Sequence, residues 1–67
     1  MAVGIIKRLV SEKGFGFIRS LNGGDELFFH RSAVRFGTYE DLTEGDRVTY
    51  EETRTDKGLR AENVRPE

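Results

Sequence analysis

Lys13-Gly14-Phe15-Gly16-Phe17-Ile18 sets the tightest limit on what this chain can fold into. Side chains alternate between the two faces of a strand, so Phe15 and Phe17 share one face while Gly14, Gly16 and Ile18 share the other. Glycine inside a strand weakens it and marks a bulge, a bend or the close approach of another backbone. A second stretch, Leu27-Phe28-Phe29-His30, carries the complementary pattern. Phe28 and His30 point one way, Leu27 and Phe29 the other. If the two strands pair, Phe15, Phe17, Phe28 and His30 form one aromatic platform.

On composition alone these rings are equally compatible with a hydrophobic core. Two features favour the platform. Ile18, Leu27 and Phe29 on the opposite faces can fill a core by themselves. The aromatic face is also bordered by Lys7, Arg8, Lys13, Arg19 and Arg31. Rings edged by cations suit a single-stranded nucleic acid, with stacking for bases and charge for phosphates.

The net charge of −1 hides an asymmetry. Residues 1–35 hold six Lys/Arg against three acids, and residues 36–67 hold five against nine. A near-neutral molecule can therefore still present one cationic patch on its aromatic half. Sixty-seven residues predict one domain spanning 1–67. A domain of this size buries only about 60% of its unfolded surface, so modest stability is expected. Without cysteine there is neither a disulfide nor a thiolate metal site. No apolar run approaches the roughly 20 residues of a membrane span, and no secretion signal is visible at the start. The expectation is a soluble cytoplasmic monomer with no cofactor and no small-molecule substrate.

In chain order, Val3–Val10 reads as a first strand with a poor amphipathic split, since Arg8 shares a face with Ile6. A bulge near Gly4 or Arg8 resolves that conflict. Ser11-Glu12 turns into a second strand, Lys13–Leu21. Asn22-Gly23-Gly24-Asp25 is a hairpin signal, followed by a third strand, Glu26–His30. Ser32-Ala33-Val34-Arg35 suggests one helical turn capped by Ser32. Phe36-Gly37-Thr38-Tyr39 reads as an exposed loop bearing aromatics. Glu44-Gly45-Asp46 turns into a fourth strand, Arg47–Arg54, and Thr55-Asp56-Lys57-Gly58 into a fifth, Leu59–Val64, with Pro66 ending regular pairing. Five short strands predict an all-β, five-stranded antiparallel barrel of the oligonucleotide-binding, Greek-key type, whose second and third strands form the ligand face.

At this point the chain resembles the bacterial cold-shock proteins and the cold-shock domains of eukaryotic RNA-binding proteins. Lys13 to Ile18 is similar to the family's first nucleic-acid-binding motif, and Leu27 to His30 to its second. Gly4-Ile5-Ile6-Lys7, Leu42-Thr43-Glu44-Gly45 and Lys57 to Val64 extend the likeness over essentially the whole chain. The resemblance implies binding of single-stranded RNA and DNA with little sequence preference, and an RNA-chaperone role. It implies that Phe15, Phe17, Phe28 and His30 stack on bases, that Lys7 and Lys13 lie beside phosphates, and that Tyr39 is a further ligand-facing aromatic.

Two departures stand out. The family's Lys-Trp-Phe-Asn is Lys7-Arg8-Leu9-Val10 here, and the aromatic that follows its histidine is Arg31. Losing two stacking platforms outright would cost about 2–6 kcal/mol. A guanidinium plane can stack on a base and attract phosphate, recovering part of that. Weaker but more salt-sensitive binding is expected, with Arg8 and Arg31 part of the site. A protein-interaction barrel using the same face is the alternative. One histidine and no nucleophile–base pair argue against an enzyme.

Overall fold

A computed structural model describes residues 2–21 and 23–67. Five strands, β1 (Ala2–Val10), β2 (Phe15–Ser20), β3 (Glu26–His30), β4 (Arg47–Thr55) and β5 (Gly58–Pro66), close into a barrel in the order β1-β2-β3-β5-β4. Pairing is antiparallel except at the closure, where β3 and β5 run parallel and Phe28 lies opposite Arg60. This seam is a single bridge, continued by the isolated parallel bridge of Val34 with Val64.

The alternation read from the sequence decides what is inside. Ile6, Ile18, Leu27, Phe29, Val48, Tyr50, Ala61 and Val64 are at most 1% exposed and form the core. Each fully buried large apolar side chain among them contributes about 1.5–3 kcal/mol.

The conflict at Arg8 is resolved by a bulge. Ile6 pairs with Ile18, and the next pair is Arg8 with Phe17, so Lys7 is the extra residue. A one-residue slip turns every following side chain to the opposite face. Arg8 is thereby moved from the core side to the side of Phe17, and Leu9 packs inward. A second irregularity lies in β5 opposite Thr49–Glu51. There Asn63 adopts φ 50°, and its Nδ2 donates to Glu51 Oε1 at 2.7 Å.

Several boundaries differ from the sequence expectation. β2 starts at Phe15 rather than Lys13, because the N–H groups of Lys13 and Gly14 both bond the Val10 carbonyl in a turn. The hairpin signal includes Asn22, which lies outside the described residues; Gly24 N–H closes that turn onto Ser20 O. The helical turn is a 3-10 turn over Arg31–Ala33, and its cap is His30 rather than Ser32. Pro66 lies within β5 opposite Val48 instead of beyond the pairing. A second 3-10 turn covers Tyr39–Asp41.

Candidate functional site

β2 and β3 pair with Phe15 opposite His30, Gly16 opposite Phe29, and Phe17 opposite Phe28. Alternation then puts Phe15, Phe17, Phe28 and His30 on the outer face, all half-buried, over a floor of Gly16, Ile18, Leu27 and Phe29, all buried. The ring centroids of Phe15 and Phe17 are 5.8 Å apart, those of Phe15 and Phe28 5.3 Å, and those of Phe17 and Phe28 6.0 Å. The three rings are in mutual contact at edge or tilted angles, which suits their quadrupoles. Each ring keeps part of its surface open to solvent.

Gly16 explains why the rings can sit outside. A Cβ there would lie 2.8 Å from the Phe29 ring and 2.8 Å from Arg8 O. Phe29 thus fills the core beneath the platform. Gly14 has φ 73°, a conformation that disfavours side chains, and the aliphatic stem of Arg31 crosses directly over it.

His30 is held by its own turn. Its Nδ1 accepts from Ser32 N–H at 3.2 Å and faces Ser32 Oγ at 3.0 Å. An Nδ1 that accepts leaves the neutral ring's proton on Nε2, so the ring is fixed in rotation and tautomer.

The cations divide into two groups. Arg8 and Lys13 are exposed and make no ion pair among the described residues. Lys7 and Arg31 already have partners: Lys7 Nζ donates to Glu26 Oε2 at 2.5 Å, and Arg31 Nη2 to Glu40 Oε2 at 2.9 Å. The hydrogen bond and charge of Lys7 hold the Glu26 carboxyl below the usual carboxylate range. A phosphate that recruits Lys7 or Arg31 shares each cation with a carboxylate or competes with it.

Tyr39 does not lie on the platform. It is 6% exposed, its ring packs on Phe29 at 6.2 Å, and its hydroxyl donates to Phe15 O at 2.5 Å. Burial raises its phenol pKa. The tyrosine supports the strand that carries Phe15 and offers no face to a ligand. Its apolar ring is worth more inside this small core than in the loop where sequence reading left it.

Four residues that sequence reading did not assign to the site adjoin it. Arg60 sits with its guanidinium 6.0 Å from the Phe28 ring centroid. Together with Phe28, Thr55, Lys57 and Leu59 it lines a recess of about 450 Å³ continuous with the platform. The signal was a parallel pairing between residues 28 and 60, which no local pattern encodes. No cluster of three or more His, Asp or Glu suited to a metal ion occurs among the described residues.

Residues 2–67 match the family model described as the 'Cold-shock' DNA-binding domain. The cold shock-like protein CspA of Stigmatella aurantiaca is 46% identical over 65 residues, covering 97% of this chain and 96% of its own. Cold shock protein ScoF of Streptomyces coelicolor is 46% identical over 66 residues, 98% of each chain. Among solved structures, one of drosophila Unr superposes with a TM-score of 0.81 at 27% identity. That match covers 98% of this chain and 26% of the other, so the likeness is to one part of a longer molecule.

Proposed function

The chain belongs to the cold-shock domain family, and from that membership we propose that it binds single-stranded RNA and DNA on the outer face of β2 and β3, with little sequence preference. The observation that carries the proposal is the contiguous set of half-exposed rings, Phe15, Phe17 and Phe28, bordered by exposed Arg8 and Lys13. Stacking supplies affinity for any base, and the cations follow the backbone. His30, Lys7 and Arg31 complete the site. Lys57 and Arg60 extend it toward β5.

The proposed action is that of an RNA chaperone. The Phe15 and Phe17 rings, at i and i+2 of β2, are 5.8 Å apart, whereas bases in a stacked strand rise about 3.4 Å. A strand that uses neighbouring rings must open its own stack, which a duplex resists. The protein would trap open strands and drain hairpins by mass action, with no nucleotide hydrolysis. The whole chain is read as one cytoplasmic binding unit acting without a cofactor.

Arg8 and Arg31 stand where the family places aromatics, so the balance should tilt toward charge. Each further phosphate neutralised steepens the log–log salt dependence by about 0.7 for single strands. The test is a chemical-shift titration with a short pyrimidine oligonucleotide, repeated for Phe17→Ala. Shifts centred on β2 and β3, and a loss of about 1–3 kcal/mol in the variant, are expected. A wild type that ignores oligonucleotides at low salt would leave the face to a protein partner instead.

A further inference from the structure

Phe36 is outside both the platform and the core. It is 79% exposed, and its φ of 56° lies in the left-handed region, where a bulky residue is an outlier. Such strain persists only where the surroundings impose it. Here the chain is pinned just before it: Val34 bridges Val64, and Arg35 N–H bonds Val64 O at 2.7 Å. The ring is also backed by a cation, with the Arg65 guanidinium 4.9 Å from its centroid. Arg65 Nε is buried without a hydrogen-bond partner, and Arg65 makes no ion pair, among the described residues. A water-exposed ring backed by arginine is a small copy of the platform's own chemistry.

It is also joined to the platform. Arg60, which flanks Phe28, lines a polar cavity of about 350 Å³ whose other walls include Ser32, Ala33 and Arg35. Glu51 in that wall is engaged by Asn63. Arg60 and Arg35 line this cavity beside Glu51 and Glu62, and Arg35 directly precedes Phe36, whose ring Arg65 backs.

We propose that Phe36, backed by Arg65, is a second stacking station that takes one unpaired base of a strand already seated on the platform. The occupant is the same nucleic acid, because Arg60 and Arg35 offer charge along this wall and the next exposed ring is again backed by a cation. The proposal rests on the platform reading. The molecule's longest extent is 25 Å, and the Phe15 and Phe17 rings that open the strand are 5.8 Å apart, so about four opened nucleotides span the molecule. Short strands should fill the platform alone.

The experiment compares wild type, Phe36→Ala and Phe36→Tyr with labelled pyrimidine oligonucleotides of about three nucleotides, one for each platform ring, and of about twelve, inside a single barrel's range of about 4–16. Phe36→Ala should weaken the long strand about fivefold or more and leave the short one unchanged, the low end of what one stacked base contributes. Phe36→Tyr should match wild type at both lengths. Equal affinities of Phe36→Ala and wild type for the long strand would overturn the station. So would equal losses at both lengths, or a wild-type dimer that Phe36→Ala dissolves. Failure of wild type to bind even the short strand sinks the platform reading, whereas short-strand binding with no Phe36 effect sinks only this one.

Discussion

Phe29 occupies the space that a side chain at Gly16 would need, its ring 2.8 Å from where that Cβ would be. The two residues are direct cross-strand partners, so the contact is set by register. Gly16 is therefore a core residue in function although it lies between two surface rings. Gly16→Ala should overpack this point, with Arg8 O blocking the other side at 2.8 Å. A loss of about 1–3 kcal/mol is expected. Thermal unfolding should show it as a fall of about 4–8 °C per kcal/mol. An unchanged midpoint would mean that Phe29 can turn away, and that the glycine serves something else.

The acids beside the platform give a binding prediction of the opposite sign. Arg31 and Glu40 are both more than half exposed, and exposed pairs are worth at most about 1 kcal/mol. Releasing Arg31 by Glu40→Gln should tighten an oligonucleotide about twofold to fivefold at low salt. The gain should vanish as salt screens the free guanidinium. Weaker binding by the variant would instead show that Glu40 holds Arg31 in the pose the ligand needs.

Glu26 makes the companion pair measurable by pH. Lys7 donates to it and holds its carboxyl below the usual range. A depressed carboxylate contributes stability above its unfolded value, and that contribution is lost as pH falls through the folded value. The window therefore lies on the acid side of the usual carboxylate range. Carboxyl carbon shifts followed by NMR should place the Glu26 titration there, and Lys7→Met should move it back up. No movement in Lys7→Met would show that Lys7 and Glu26 are not paired in solution.

Much of this was legible because a strand's period is two. Phe15, Phe17, Phe28 and His30 declared a shared face, and Arg8 beside Ile6 declared a bulge. What local pattern missed is long-range. Tyr39 reads as loop because its partners, Phe29 and the Phe15 carbonyl, come from strands ten and more residues away. Arg60 reads as ordinary strand surface until parallel closure sets it beside Phe28. Sequence favours Ser32 as the cap because an imidazole is not the usual capping acceptor, and only geometry reveals His30 in that role. The acid partners of Lys7 and Arg31 were invisible for a simpler reason: nineteen and nine residues of chain had to fold before either pair met.

The two tyrosines allow the sharpest stability contrast, since each is buried and each loses only one oxygen on replacement by phenylalanine. Tyr39 spends its hydroxyl on Phe15 O, tying the second 3-10 turn to the first residue of β2. Tyr39→Phe should therefore lose about 0.5–1.5 kcal/mol, the net value of one such bond. Tyr50 is fully buried, and its hydroxyl has no partner among the described residues. A buried hydroxyl without a bond costs about 1–3 kcal/mol on the protein mutational scale. Tyr50→Phe removes that cost while keeping the ring that fills the barrel, so its unfolding midpoint should stay level or rise. Side by side in urea, the two variants should move in opposite directions, or one should fall while the other holds. A fall in Tyr50→Phe as large as that in Tyr39→Phe would show that the Tyr50 hydroxyl is satisfied after all, through an internal water that bridges it to the backbone.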